Sequence, residues 1–319
     1  MDITERNFVQ ALAMGNTDAL KQIPKSDLHC HAALGSRFAD LQAWMGVPLP
    51  PPPKRMKGIA GMDAYLSELR EVFFTRAGFE YTMEAAFKHA VTDGVSVLEM
   101  SIDCRFVRQY DDREAGLVEA LERIHRRWAP EVFYIPQLGI TREADPAIVF
   151  PEIEACLDTG YFRSIDLYGE ELFRPPDVYR NIYRLAGSKG LRRKAHTGEF
   201  GDAASVRHTV EVLELDEVQH GITTASSGEI MKWLSDNKIQ LNVCPTSNIV
   251  LGLVESLETH PMRILFDNGV PVTINSDDIL LFDQSVSDEY FNVYNAKLFS
   301  AAELNDIRIL GLAEAQHHP

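Results

Sequence analysis

Residues 163–199 read RSIDLYGEELFRPPDVYRNIYRLAGSKGLRRKAHTGE. Two short apolar runs, starting near Arg163 (RSIDLY) and Arg193 (RKAHTGE), enclose a segment long enough for a helix. A strand, a helical crossover and a second strand form a βαβ unit, and such a crossover makes the strands parallel. Outward from this unit the alternation continues in both directions. Further candidate strands start near Ser26, Val95 and Val132 on one side, and near Glu217, Gln240 and Pro271 on the other. Between them, Asp112 to Trp128 carries Leu117, Val118, Leu121 and Ile124 at helical spacing, and Ala203 to Leu213 and Ser226 to Asn237 have the same rhythm. Eight such strands predict an α/β fold, a (β/α)₈ barrel of TIM type, occupying residues 1–319 as a single domain. The segment from about 41 to 92 interrupts the rhythm and holds the proline run Pro48, Pro50, Pro51, Pro52 and Pro53. It is expected to form a loop and extra helices after the first strand, either covering one barrel end or standing as a plain insertion. The last stretch, Phe299 to Pro319, begins with helical spacing and is expected to fray at its end.

The 319 residues are 45% hydrophobic and 24% charged, which is ordinary globular composition. A formal net charge of -16 repels phosphate backbones and anionic lipid, so no nucleic-acid or membrane partner is expected. Cys30, Cys104, Cys156 and Cys244 form no C-x-x-C pair and read as buried free thiols. The first twenty residues carry early acids and no long apolar core, and no stretch approaches the roughly 20 apolar residues of a membrane span, so a cytoplasmic location is expected.

The candidate strands end in reactive side chains: His29 and His31, Glu99, Asp166, His196 and Glu199, His220, Asn242, and Asp277 with Asp278. Barrel enzymes place their chemistry at the C-terminal ends of strands. On a strand, His29 and His31 face one side, as a metal requires, although two polar residues at a strand end would read the same. In His196-Thr197-Gly198-Glu199 the histidine offers a third ligand, the glycine permits a tight turn, and the glutamate stands near as an acid/base. His220-Gly221 is either a base beside an activated water or a structural histidine. In Asn275-Ser276-Asp277-Asp278 one carboxylate can complete the metal set and its neighbour can bind substrate, the alternative being an Asx turn capping the next helix. Three histidines and a carboxylate suit one divalent ion, Zn²⁺ foremost, with room for an activated water.

These residues in this order resemble the adenosine deaminase family of metal-dependent purine aminohydrolases, within the amidohydrolase superfamily. Residues 24–31 (PKSDLHCH) look like P-K-x-E-L-H-x-H, 196–199 like H-A-G-E, 220–221 like H-G, and 275–278 (NSDD) like N-T-D-D. Residues 166–171 (DLYGEE) resemble D-L-x-G-x-E, and 244–248 (CPTSN) resemble C-P-x-S-N. The resemblance implies that His29, His31, His196 and Asp277 bind the metal. It implies that Glu199 protonates ring N1 and that metal-activated hydroxide, oriented by His220 and Asp277, attacks C6 to release ammonia. Asp278 would contact N7, the Gly169 N–H would contact N3, and His31 would also face the substrate. The implied substrate is a small molecule: adenosine, adenine or a related 6-aminopurine nucleoside or nucleotide.

After H-x-H the family continues L-D-G or L-E-G, whereas this chain has Ala32-Ala33-Leu34-Gly35, so the acid that reaches toward a ribose hydroxyl is Ala33 in register. Before His220, R-I-G-H-G is replaced by Glu217-Val218-Gln219-His220-Gly221. The first change points to adenine itself or to a 5′-altered nucleoside or nucleotide, with Arg37 as a candidate partner for an anionic group. Two other readings use the same residues. One is a barrel amidohydrolase acting on a different cyclic amide, amidine or ester, which the lack of an evident bridging lysine disfavours. The other is a catalytically silent nucleoside-binding homologue.

Overall fold

The computed structural model describes residues 2–111 and 113–318. Eight parallel strands follow one another in chain order: β1 (Lys25–Asp27), β2 (Val95–Asp103), β3 (Phe133–Thr141), β4 (Ser164–Tyr168), β5 (Arg192–Thr197), β6 (Glu217–His220), β7 (Gln240–Val243) and β8 (Val272–Ile274). Each starts within one residue of its expected position. The ring closes beyond β8 and β1, where Cys30 and Asp277 form a single parallel bridge and the Asp277 N–H donates to the His29 carbonyl at 2.9 Å. This is the (β/α)₈ barrel.

The expected helices form. Arg113–Trp128 turns Leu117, Leu121 and Ile124 into the core, while its expected first residue, Asp112, lies outside the described residues. Ala203–Leu213 and Gly228–Asp236 start from Asp202 and Ser227, whose side chains accept N–H groups of the first turn. The 41–92 segment divides in two. Arg76–Thr92 is the β1–β2 crossover helix, burying Phe79, Met83, Ala86 and Phe87 against the barrel. The extra part comprises Phe38–Met45, Gly58–Glu68 and Arg70–Phe73. Its apolar residues, among them Ile59, Met62 and Phe73, line the cavity over the barrel mouth, as expected of a cover.

Two expectations change. Glu99 lies mid-strand rather than at the mouth, in a buried network below the site. It takes hydrogen bonds from Gln137, Ser164 and Lys194, and Lys194 also reaches Glu217 at 2.6 Å. Lys194, on β5 two residues before His196, is therefore committed to the floor and is not a bridging lysine. The C-terminal segment does not fray over its described residues. Ala301–Leu312 passes into a 3₁₀ turn whose Glu314 is buried against Arg192 and His318, and Leu312 and Ala315 pack on Leu28, Val97 and Ile135. Pro319 lies outside the described residues. All four cysteines are free and buried, and no described helix is long and apolar enough to cross a membrane.

Glu289, in helix Val286–Asn295, is fully buried and takes the Thr246 N–H at 3.3 Å on each oxygen. Burial pushes its carboxyl up to about 8 from an ordinary 4.5. Between those values the folded chain keeps a proton that the unfolded chain releases. Stability from this group is full at low pH and falls, by at most about 1.4 kcal/mol per pH unit, as pH rises through that window. Glu289→Gln is expected to match the parent in urea unfolding at pH 4.5 and to exceed it at pH 8. An equal midpoint difference at both pH values would contradict this account.

Candidate active site

The mouth gathers side chains from the ends of every strand but β7. Regular pairing of β1 stops at Asp27, but Cys30 bridges Asp277 and His31 bridges Ser101, so the strand direction is kept and both histidines enter the mouth. His196 sits on β5, and Glu199 follows across Gly198, whose φ of +72° lies in the left-handed region. His220 (φ 64°) and Asp277 (φ 59°) also hold left-handed backbone, uncommon for non-glycine residues although Asp and His adopt it more readily than most.

The histidines are neutral and oriented. Burial lowers all four, His29 to about 4. His29 Nδ1 lies 3.0 Å from the Asn242 carbonyl, an acceptor only, so that nitrogen carries the proton and Nε2 is bare. His196 Nδ1 lies 3.2 Å from Asp166 Oδ1, with the same result. The two bare Nε2 atoms face each other at 2.9 Å. Two lone pairs at that distance repel without a cation between them. Asp277 Oδ1 lies 3.8 Å from His29 Nε2 and 3.7 Å from His31 Nε2. This donor set, three imidazoles and one carboxylate, fits a divalent ion.

His220 also brings a ring nitrogen close to His29 and His196. Its protonation is set from behind. The Met262 N–H donates to His260 Nδ1 (3.1 Å), so His260 holds its proton on Nε2 and gives it to Asn248 Oδ1 (3.2 Å). The Asn248 amide N–H is then left for His220 Nδ1 (3.3 Å). His220 therefore presents Nε2–H, a proton rather than a lone pair, to the site, 3.6 Å from Glu199 Oε1 and 3.9 Å from Asp277 Oδ2.

Glu199 and Asp278 are buried beside other acids. Burial, reinforced by the charges of Asp277, Glu171 and Asp278, raises the Glu199 carboxyl well above its ordinary range. Burial and Asp277 do the same to Asp278, whose Oδ1 is buried with no hydrogen-bond partner among the described residues. His31, Gly169, His196, Glu199, His220, Asp277 and Asp278 all line one cavity of about 690 Å³. Arg37 does not. It pairs with Asp283 at 2.5 Å and Asp288 at 3.4 Å, so it is no partner for a bound anion.

Sequence reading assigned no task to Glu171. Its carboxylate accepts the N–H groups of Gly198 (2.7 Å), Glu199 (3.1 Å), Phe200 (2.7 Å) and Gly201 (2.8 Å), and the Thr197 hydroxyl (3.0 Å). One buried anion thus shapes the whole turn that carries Glu199. Glu171→Gln replaces one acceptor oxygen by a donor facing N–H groups. It is expected to cost about 2–4 kcal/mol in denaturant unfolding, with kcat falling and the bound metal retained. A variant as stable as the parent would show that the turn holds itself. Glu171 stands inside the quoted DLYGEE segment, so its signal was present, but the nest it fills forms only across 26 to 30 residues of chain. His260 had no local signal at all.

The sequence profile of adenosine deaminases matches residues 62–317. A putative adenosine/adenine deaminase of Treponema pallidum is 34% identical over 288 residues, covering 90% of this chain and 96% of that protein. The fold is similar to that of adenine deaminase from Arthrobacter aurescens, with a TM-score of 0.79, 22% identity and coverage of 91% of this chain and 92% of that one. An amidohydrolase from Burkhoderia ambifaria, solved with bound Zn, superposes with a TM-score of 0.75 at 24% identity, covering 98% and 88% of the two chains.

Proposed function

The chain belongs to the adenosine deaminase family and is a purine deaminase hydrolysing a C–N bond, and from that premise we propose that it removes the 6-amino group of a 6-aminopurine with the mouth residues just described. His29, His31, His196 and Asp277 would hold the divalent ion, for which Zn²⁺ is the best match to a set of nitrogen and oxygen donors. When bound, such an ion lowers the pKa of a water toward 7 and so supplies a nucleophile at neutral pH. Every other task falls to the chain. Glu199, kept protonated by burial, donates to N1 and makes C6 electrophilic. His220 Nε2–H orients the attacking water by donation, and Asp277 Oδ2 takes the proton it sheds. Asp278, also kept protonated, donates to N7, and the Gly169 N–H donates to N3. The proton taken by Asp277 passes to the departing amine and the C6 hydroxyl returns one to Glu199, so addition of water and loss of ammonia balance, with the 6-oxopurine as product.

The observation that carries this reading is the pair of bare Nε2 atoms 2.9 Å apart, with Glu199 and Asp278 on the same cavity wall. The test is ammonia release by zinc-loaded protein from adenine, adenosine, 2′-deoxyadenosine, AMP, 5′-modified adenosines and N6-substituted adenines. At least one strong substrate is expected. Silence across the panel with metal bound would remove the reading and turn attention to other cyclic amidines.

A further inference from the structure

We propose that the substrate is the free 6-aminopurine base, and that Glu143 is the residue that selects it by accepting the N9–H. This rests on the purine reading above, in which N3 meets the Gly169 N–H. Glu143 follows β3 and lines the cavity. Its Oε1 accepts the Glu170 N–H at 2.6 Å, and its Oε2 takes the Thr141 hydroxyl. The carboxylate is thereby fixed against Gly169. A Cβ at Gly169 would lie 2.9 Å from Oε1 and closer still to Oε2. Only glycine leaves that space open, and the backbone there has a φ of +93°.

A purine offers two neighbouring nitrogens on that edge, N3 and N9, both bonded to C4. In the free base with N7 accepting from Asp278, N9 carries the hydrogen. A donor at Gly169 beside an acceptor at Glu143 matches N3 and N9–H together. The N9–H bond to a carboxylate is charge-assisted and stronger than a neutral one. In a nucleoside N9 has no hydrogen, and the sugar carbon would press on the carboxylate.

The rest of the lining offers a phosphate little: its other polar side chains, Asp63, Ser67, Ser101 and Asp103, are acids and hydroxyls rather than cations. Ala33 and Leu34 stand after the paired histidines, and Ile59, Met62 and Phe106 continue the apolar wall. Arg105 is the one lysine or arginine among the described lining residues. Its Nε and Nη2 are both bonded to Asp103, at 2.8 and 2.7 Å, so its charge is already answered.

The experiment compares kcat/KM for adenine, 9-methyladenine and adenosine with metal-loaded parent, Glu143→Leu and Glu143→Gln. For the parent, adenine is expected to exceed 9-methyladenine and adenosine by about 100-fold or more, since a site built around an N–H discriminates strongly against its loss. Glu143→Leu is expected to lower the adenine value by about 10- to 100-fold, mostly in KM, and to bring the adenine to 9-methyladenine ratio close to one. Glu143→Gln keeps an acceptor oxygen and is expected to keep part of the preference. If the parent turns over 9-methyladenine as well as adenine, or if Glu143→Leu harms adenosine alone, the proposal is overturned and Glu143 serves a ribose hydroxyl. The first comparison needs no variant and so does not depend on how a variant folds. Silence with every substrate would instead overturn the purine reading on which the proposal stands.

Discussion

Glu199→Gln is expected to lower kcat by about 10²- to 10⁴-fold, the usual worth of a positioned proton donor, without loss of bound metal. The side chain touches none of the four proposed ligands through a hydrogen bond, and its Oε1 lies 3.6 Å from His220 Nε2. Its turn is shaped by Glu171, which the substitution leaves intact. Glutamine keeps the volume and can still donate a hydrogen bond to N1, but it cannot give up a proton there. The loss should therefore appear in kcat, with KM little changed. Activity also depends on pH through this group. The Glu199 carboxyl is raised by burial and by Asp277, so its working form is the protonated one, and activity carried by it falls as pH rises through the raised value. A variant retaining most of the parent rate would show that N1 is protonated by another group.

Asn248→Asp is expected to have a comparable effect by a different route. The replacement is nearly isosteric and still accepts from His260 Nε2–H. It no longer donates to His220, however. A carboxylate facing His220 Nδ1 draws the proton to that nitrogen and strips Nε2, turning a donor toward the site into a lone pair. A catalytic imidazole held in the wrong tautomer loses about 10⁴-fold in a well-understood hydrolase, and a loss of about 10²- to 10⁴-fold is expected here. Two-bond ¹H–¹⁵N spectra of the histidine rings read the tautomer directly and would not shift for a merely structural defect. If His220 keeps Nε2–H in the variant, or if it flips and turnover persists, the relay does not govern catalysis.

The strands and most of the mouth were readable because both follow local rules. Apolar runs alternating with helical spacing fix the barrel, and a strand-end position brings His29, His31, His196, His220, Asp277 and Asp278 to one rim. Glu99 misled because its strand is long, Val95–Asp103, and the residue falls four places short of the end, where side chains point into the floor. Arg37 was a candidate from charge alone, and only tertiary structure reveals Asp283 and Asp288 beside it. His260, Asn248 and Glu171 act through hydrogen bonds to residues 12 to 30 positions away, so no window of sequence displays their partners. Glu143 is the extreme case, since its meaning depends on the empty space beside Gly169.

The proposed ligands also straddle the seam of the barrel. His29 and His31 come from the first strand's end and Asp277 from the last, and they meet where a lone bridge does what whole ladders do elsewhere in the ring. An ion gripping both sides would act as a clasp on a loop of nearly the entire chain, the kind of closure whose entropic cost grows with length. Removing it with a chelator should free the Asp277 and Ser101 amides, which bond across to His29 and Cys30, to exchange with solvent ahead of amides in the β2–β3 ladder. Catalytic competence and the sealing of the ring would then be a single event, so that a chain with an open seam is also a chain without a nucleophile.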